Sequence, residues 1–243
     1  MITVLVTPRQ LAAGEARIEG DRYRHLFRAR RVAVGAHLRL VDGRGTARWG
    51  TVEAVDKSSA RVVLHEGAPS HEAARRVELL VAPLRRDRAS WLVEKATELG
   101  VAAVRFIAAE RSEHAMKPST FERLARVAEA ALEQSHRARL PEISGVHPVE
   151  KRTDLLAVAP PTSRWLLDTQ PAEVGSATGD AAAPAVLVVG PEGGWRDDER
   201  QAFAELGCRP ANFGERVLRV ETAALAGAAL LLCRPLAPPG NGG

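Results

Sequence analysis

The stretch "VVGPEGGWRDDER", residues 188–200, decides how the second half of the chain is interpreted. An apolar run ends in glycine and proline, two more glycines follow the lone carboxylate of Glu192, and an acidic segment then begins a helix. Glycines keep side chains out of the way, so that backbone groups can meet a ligand directly. The pattern predicts a strand, an open loop and a helix; a tight connection that needs positive φ is the plainer alternative.

Strands and helices alternate on both sides of this loop. Buried-strand patterns alternate with helical periodicity, and a mostly parallel sheet covered on both faces is the packing such alternation favours. The fold class predicted for the C-terminal part is therefore α/β. The predicted strands are 76–84, 101–109, 163–168, 185–190 and 210–214, and the predicted helices are 87–100, 119–134, 197–206 and 221–233.

Two of the predicted helices carry boundary signals. Ser119 and Glu122 have capping-box spacing at the start of the second helix, and Gly100 stands where the first should end. The apolar stripe predicted for the first helix comprises Trp91, Leu92, Ala96 and Leu99.

Residues 1–68 are predicted to be rich in β-structure. "MITVLVTPRQ" is interpreted as a first strand, because it lacks the basic region and apolar length of a signal peptide. Residues 37–55 alternate apolar and polar side chains around a turn at 42–45, which predicts a hairpin, and residues 59–67 supply another strand. The predicted domains are a small β-barrel over 1–70 and an α/β domain over 76–236, with a mobile loop at 171–184 and a disordered tail at 237–243.

Composition limits the class of protein. Lys and Arg number 34 against 30 Asp and Glu, and the resulting charge of +4 leans toward an anionic partner. Cys208 and Cys233 stand apart without nearby histidines, so neither a disulfide framework nor a metal site is expected, and a reducing cytoplasm fits best. The longest apolar run, 223–233, is too short to span a bilayer, so we expect a soluble protein with no membrane partner.

A second unusual loop, "FGERVLRVETAAL", follows at residues 213–225. It would place charged groups at the start of an alanine-rich helix, near the same end of the sheet; a solvated loop is the alternative. The sequence has no GxxxxGK[ST] and no GxGxxG after a strand, which argues against a P-loop or a classical dinucleotide site.

Six motifs in order resemble one known family. "HLFRARRVAVG" (25–35), "KATELGV" (95–101), "ERS" (110–112), "EQSHRARLPEI" (133–143), "GPEGG" (190–194) and "GERVLRVETA" (214–223) are similar to the RsmE-type ribosomal RNA uridine N3-methyltransferases of the SPOUT superfamily. Arg196 stands where the family usually has a serine or threonine cap, which suggests that Asp197 caps the helix instead. Arg30 also departs from the family, where an apolar residue is usual.

The resemblance implies a PUA-like β-barrel joined to a SPOUT domain whose C-terminal part forms a trefoil knot. It also implies that S-adenosylmethionine is bound largely by the backbone of three loops. The cofactor-binding residues implied are Leu167, Asp168, Gly190, Pro191, Glu192, Gly193, Gly194, Gly214, Val217, Leu218, Glu221, Thr222 and Ala223.

The implied reaction is methylation of N3 of a uridine in 16S rRNA of the small ribosomal subunit, the family target being U1498. An arginine aimed at a uracil oxygen would favour the N3 anion, which is the better nucleophile. Arg219 is the first choice for this catalytic role and Arg216 the second, with an ion pair to Glu221 as the structural alternative for either. No general base is assigned, and attack by a ring nitrogen needs no cysteine.

RNA contacts are expected from clustered basic residues, because phosphate neutralisation supplies much of the affinity for nucleic acid. For the basic cluster at residues 22–31, a solvated helix face is the alternative. The resemblance also implies a homodimer, with the last helix at its interface. The candidate RNA-binding residues are Arg22, Arg24, His25, Arg28, Arg30, Arg31, Arg111, Gln134, Arg137 and Arg139.

Two other functions remain open at this stage. One is a non-catalytic RNA-binding protein, against which the intact glycine and "LRVETA" loops argue. The other is a SPOUT enzyme that methylates a different group, such as a ribose 2′-hydroxyl in transfer RNA.

Overall fold

The computed structural model describes residues 1–169 and 182–233. These residues belong to two compact units: the first comprises 1–72 and 128–140, and the second comprises the rest. Most of the predicted mobile loop and the whole predicted tail lie outside the described residues. Nothing in the sequence indicated that residues 128–140 join the first unit.

The first unit is built on a five-stranded sheet. Its strand order is β1-β3-β4-β5-β2, with β1 parallel to β3 and the other pairs antiparallel. The predicted hairpin is confirmed, since β3 and β4 pair across the turn. The elements are β1 (Thr3–Leu5), α1 (Pro8–Ala13), β2 (Glu15–Glu19), α2 (Gly20–Tyr23), β3 (His37–Val41), β4 (Ala47–Val55) and β5 (Ser59–Gly67).

Residues 128–140 cover part of this sheet. Leu132 and Ala138 form a buried cluster with Val41 of β3 and Ala47 of β4. The Glu72 carboxylate fixes the segment by accepting the backbone N–H of Ala138 at 2.9 Å and that of the next residue at 2.8 Å. The first unit is thus closed by a segment that follows its last strand by about sixty residues.

The second unit contains a six-stranded sheet in the order β11-β9-β10-β6-β7-β8. Every pair is parallel, which confirms the predicted α/β class. β8 was not predicted, and the knot stays a prediction. The elements are β6 (Val77–Val81), α3 (Arg86–Leu99), β7 (Ala103–Ala108), α4 (Pro118–Ser135), β8 (Glu142–Pro148), α5 (Arg152–Leu156), β9 (Arg164–Leu167), β10 (Ala185–Val189), α6 (Asp197–Glu205), β11 (Arg209–Ala211) and α7 (Val220–Leu232); the end of α4 belongs to the first unit.

The central strands explain why the sequence shows continuous apolar runs. All residues of β6 and of β10 are buried, as expected for parallel strands covered on both faces. β10 lies between β6 and β9, which are far apart in sequence. Parallel pairing brings the loops that follow these strands to one edge of the sheet, where ligands of α/β proteins bind.

Two details of the helices differ from the predictions. Trp91 of α3 is 45% exposed, whereas Leu92 and Ala96 are buried, so the predicted apolar stripe is wrong at Trp91. α4 begins at Pro118, which puts Ser119 inside the helix and not at its cap. Gly100 does end α3, with φ +97°.

None of the helices in the described ranges has the length and apolar character needed to cross a bilayer. Within the same ranges, His, Cys, Asp and Glu side chains form no cluster of three or more that could hold a metal ion.

Candidate functional site

A cavity of about 1120 Å³ opens at the carboxyl edge of the six-stranded sheet. The loops after five of the six strands contribute to it, as parallel pairing requires. Its volume slightly exceeds the usual range for a single small-molecule site. The lining residues are 84, 85, 87, 88, 111, 114, 167–169, 189–195, 200, 212–220 and 223.

The glycine loop that follows β10 forms one wall, and the structure supplies a second reason for Gly190. A Cβ at this position would lie 2.7 Å from both Cε2 and Nε1 of Trp195. The indole is 1% exposed and packs edge-on against Phe203 at 5.0 Å. Gly190 therefore makes room for a buried side chain, in addition to presenting backbone to the cavity. Gly194 has φ +69°, so the positive-φ explanation also holds at that position.

A second wall is formed by the end of β9, the strand that pairs with β10. The side chain of Asp168 is buried, and its Oδ2 accepts a hydrogen bond from Arg200 Nε at 2.5 Å. This hydrogen bond raises the pKa of Arg200. The Leu167 carbonyl accepts the Trp195 indole N–H at 3.4 Å. Leu167 and Asp168, two of the predicted cofactor-binding residues, line the cavity. Their hydrogen bonds to Trp195 and Arg200 also connect β9 to the loop and helix that follow β10.

The third wall is the segment before α7. Gly214 has φ +86°, and its N–H donates to the side-chain oxygen of Asn212 at 3.2 Å. Val217, Leu218 and Ala223, which were predicted to bind cofactor, line the cavity, and Val217 is 77% exposed.

Glu221 and Thr222, predicted to bind cofactor, do not line the cavity. The Glu221 side chain is only 3% exposed and forms an ion pair with Arg88 of α3. Glu221 also lies in the first turn of α7, where the helix dipole favours a negative charge. Its contribution to the site is therefore to hold α3 and α7 together, and Arg88, which sequence reasoning missed, supplies the other half.

The two candidate catalytic arginines keep their charges open to the cavity. Arg216 and Arg219 are exposed and line it, and within the described residues neither guanidinium forms an ion pair. The alternative of an ion pair to Glu221 is wrong, because that carboxylate is bound to Arg88. Arg219 is the residue immediately before α7, at the positive end of the helix dipole.

The start of α6 corrects another expectation. Arg196 is the N-cap residue, and Asp197 is the first residue of the helix, so Asp197 does not cap it. Glu199 accepts the Arg196 backbone N–H at 2.9 Å instead. A glutamate three residues after the cap is half of a capping box, so this signal was present in the sequence.

Arg111 lies in the turn after β7 and also lines the cavity. Its Nη1 donates to the Gly193 carbonyl at 3.0 Å. Predicted as an RNA contact, Arg111 is also bound to the glycine loop.

Two of the candidate RNA-binding arginines are engaged within the first unit. Arg22 donates to Glu133 at 3.0 Å and to Glu129 at 2.7 Å. The side chain of Arg137 is 3% exposed and pairs with Glu72 at 2.8 Å. These contacts do not fit the expectation of open phosphate ligands, and we leave Arg22 and Arg137 out of the proposed RNA surface.

The remaining candidates of the first unit are exposed. Arg24 pairs with Asp21, and Arg28 donates to the Lys57 carbonyl at 2.7 Å. Arg139 lies against the β3–β4 turn, where a Cβ on Gly45 would meet its Nη2 at 2.6 Å. The other exposed candidates are His25, Arg30, Arg31 and Gln134.

A parallel sheet whose strand-end loops enclose a cavity lined by glycine backbone and arginine side chains is the arrangement in which α/β proteins commonly bind polar ligands. The chain belongs to the RNA methyltransferase family, since the model of the RNA methyltransferase domain matches residues 71–232. The model of the RNA methyltransferase PUA domain matches residues 18–64. The resemblance and the fold class inferred from the sequence are thereby confirmed.

Individual relatives agree with this assignment. The chain is 28% identical over 227 residues to the ribosomal RNA small subunit methyltransferase E of Synechocystis, covering 90% of this chain and 73% of the relative. It is 29% identical over 224 residues to the protein of that name from Mycobacterium bovis, covering 85% and 82%. The solved structure of ribosomal RNA small subunit methyltransferase E from Neisseria gonorrhoeae, bound to S-adenosyl methionine, is 26% identical, with a TM-score of 0.82 over 95% of this chain and 96% of that one.

Proposed function

We propose that this protein uses S-adenosylmethionine to methylate N3 of a uridine in 16S rRNA of the small ribosomal subunit, the family target U1498. The observation that carries the proposal is the pair of exposed guanidinium groups, Arg216 and Arg219, which form no ion pair within the described residues and lie on a cavity walled by the glycine loop. The relative of known structure that binds this cofactor shares the fold over nearly the whole chain.

The residues of the cavity fit such a cofactor. Gly190, Gly193 and Gly194 present backbone groups without side chains, and the exposed Val217 and the half-buried Leu218 offer apolar contacts. The volume leaves room for a nucleobase beside the cofactor. When bound, S-adenosylmethionine supplies an electrophilic methyl group on a sulfonium.

The arginines would act on the acceptor. Uridine N3 must lose its proton before or during attack, and the charge then spreads onto the neighbouring carbonyl oxygens. Arg219, next to the N-terminus of α7, combines a guanidinium with the positive end of a helix dipole. Because Arg88 neutralises Glu221, the nearest carboxylate in sequence does not cancel this charge. Arg219 is thus the first candidate to stabilise the anion, with Arg216 second.

The test uses S-adenosylmethionine with an isotopic label in its methyl group and small subunits that lack the modification. Mass spectrometry of the nucleosides should find the label on uracil N3. Label on a ribose would replace the proposal with 2′-hydroxyl methylation, and absence of label from RNA would favour a non-catalytic RNA-binding protein.

Arg219→Ala should lower kcat about a hundredfold or more while the Kd of the cofactor changes less than about threefold. Arg126→Ala is the matched control, because Arg126 is exposed on α4 and does not line the cavity. Loss of cofactor affinity with turnover unchanged at saturation would contradict the role given to Arg219.

The RNA surface is proposed to include His25, Arg28, Arg30 and Arg31 of the first unit. Their exposure and the short length of sequence that carries them favour contact with phosphates. Replacing Arg30 and Arg31 together by alanine should weaken binding of small subunits and reduce its dependence on salt. An unchanged salt dependence would leave this segment a solvated surface.

A homodimer is also proposed. α3 and α7 pack against each other, and each leaves a large apolar side chain in solvent: Trp91 is 45% exposed and Leu230 is 72% exposed. A second copy of the chain is the partner that the family resemblance implies. Light scattering should give twice the chain mass for the wild type and the chain mass for Leu230→Glu; a monomeric wild type would contradict the proposal.

A further inference from the structure

Glu199 of α6 is a buried carboxylate to which neither the sequence analysis nor the proposed reaction gives a role. It is 7% exposed. One oxygen accepts the Arg196 N–H at the start of its own helix, and the other accepts the Glu110 N–H at 3.0 Å. Glu110 lies in the turn after β7, 89 residues earlier. One side chain therefore joins two segments that meet only at the edge of the sheet.

The turn that Glu199 binds is itself well defined. Ser112 closes it, donating its N–H to the Ala109 carbonyl at 3.0 Å and accepting the Ala109 N–H on its hydroxyl at 2.9 Å. This arrangement leaves the Glu110 N–H free to reach Glu199. It also directs Arg111 to the glycine loop, where its Nη1 binds the Gly193 carbonyl.

The approach of the turn to the glycine loop is close. A Cβ on Gly193 would lie 3.2 Å from the Arg111 Cβ, which is tighter than ordinary contact. The position of Gly193 therefore depends on where the Ala109–Ser112 turn sits. Glu199 binds the backbone of that turn at Glu110. The hydrogen bond from Arg111 to Gly193 then connects the turn to the glycine-loop wall of the cavity.

The contact requires a carboxylate. Both oxygens of Glu199 accept backbone N–H groups, and the charge lies in the first turn of α6, where the helix dipole stabilises it. A glutamine has the same shape but only one oxygen. Its amide N–H₂ would face one of the two donors, so one hydrogen bond would be lost and one buried N–H left unsatisfied.

We propose that Glu199 is a positioning residue for the methyl-donor site. It fixes the Ala109–Ser112 turn against α6 and so sets, through Arg111, the glycine-loop wall of the cavity. The inference rests on the proposed function for the identity of the ligand, S-adenosylmethionine. Glu199 does not line the cavity and acts only through the glycine loop, the wall assigned to the cofactor, so its effect should fall on cofactor binding and not on the acceptor.

The experiment compares Glu199→Gln with Glu205→Gln, an exposed glutamate on the same helix whose oxygen binds only the nearby Gln201. Glu199→Gln should raise the Kd and the KM for S-adenosylmethionine about tenfold. Its kcat at saturation should stay within about threefold of the wild type, and Glu205→Gln should change neither quantity. Equal effects of the two substitutions, or a fall in kcat alone, would overturn the proposal.

Arg111→Ala supplies a second test on an exposed residue, whose loss should not prevent folding. If Glu199 acts through Arg111, the increase in Kd for the double variant should be smaller than the product of the two single increases. Independent effects that multiply would show that the two residues do not act as a unit.

Hydrogen exchange of the free protein separates this inference from the proposed function. In Glu199→Ala, which removes both acceptor oxygens, the Glu110 amide should exchange at least tenfold faster than in Glu205→Ala, whatever ligand the cavity takes. Unchanged exchange would overturn the positioning role. Faster exchange in a protein that fails to bind S-adenosylmethionine would instead refute the ligand assigned to the cavity.

Discussion

Gly190→Ala is the sharpest test of how the glycine loop is built. The added methyl group would lie 2.7 Å from two atoms of the Trp195 indole and 3.1 Å from a third. Favourable carbon contacts begin near 3.5 Å. The indole cannot easily withdraw, because it is 1% exposed and Phe203 packs against it.

The expected loss of stability follows from this overlap of roughly 0.8 Å. Overpacking of a buried site costs about 1–3 kcal/mol of the free energy of unfolding. For a unit of this size the melting temperature should fall by roughly 2–12 °C. The backbone at Gly190 is not in the left-handed region, so the effect is one of packing and not of φ.

Urea unfolding followed by circular dichroism measures the change. Gly145→Ala is the control, since a Cβ there has no atom within 4 Å and the φ of Gly145 is ordinary. It should alter the free energy of unfolding by less than about 0.5 kcal/mol. Adding Trp195→Phe to Gly190→Ala should recover part of the loss, because the smaller ring makes room. If Gly190→Ala is as stable as the control, or the two substitutions are simply additive, the indole does not explain this glycine.

Two further predictions concern titratable groups. Burial raises the pKa of the Cys208 thiol to about 12, so iodoacetamide at pH 8 should label only the exposed Cys233. Intact-mass spectrometry should show one adduct on the folded protein and two adducts on the protein unfolded in urea. Two adducts without urea would contradict this prediction. Burial by itself would raise the pKa of Glu142, but hydrogen bonds from Arg105 and Arg76 outweigh it and lower that pKa below 4.5. A lowered folded-state pKa stabilises the fold above the unfolded-state value, and this stabilisation is lost as the pH falls through the folded value. The wild type should therefore lose stability more steeply than Glu142→Gln below about pH 4.5, and parallel curves would refute the argument.

The local patterns of the sequence were sufficient for most of the fold. The runs at β6 and β10 are buried on both faces and have no competing interpretation, and Gly100 ends α3 in the left-handed conformation. The loops after the strands could be placed at one edge because parallel strands share a direction. The short β8, with five of its seven residues apolar or small but mostly exposed, lacks such a signal.

Contacts between segments that are distant in sequence could not be predicted from local sequence patterns. Arg22 and Glu133 are separated by 111 residues, and Glu199 and Glu110 by 89. Which charges meet depends on strand order and on the path of α4, and neither is encoded in local periodicity. The sequence therefore predicted that Arg22, in the arginine-rich segment 22–31, is available to RNA, whereas in the structure it is paired with Glu129 and Glu133.

The glycine loop illustrates a subtler limit. Its openness was explained by a ligand, yet Gly190 also accommodates an indole only five residues further along the chain. Sequence reasoning recognised the absent side chain but could not say which neighbour required the space.

The closure of the first unit by residues 128–140 has a consequence for synthesis on the ribosome. Val41 and Ala47 emerge early, but Leu132 and Ala138, which cover them, follow only after residues 73–127 have been added. Until then the nascent sheet presents an apolar patch, and the Glu72 carboxylate lacks the N–H groups it later binds. The first unit is thus complete only after the end of α4 has been translated, although its five-stranded sheet precedes residues 73–127 in the chain.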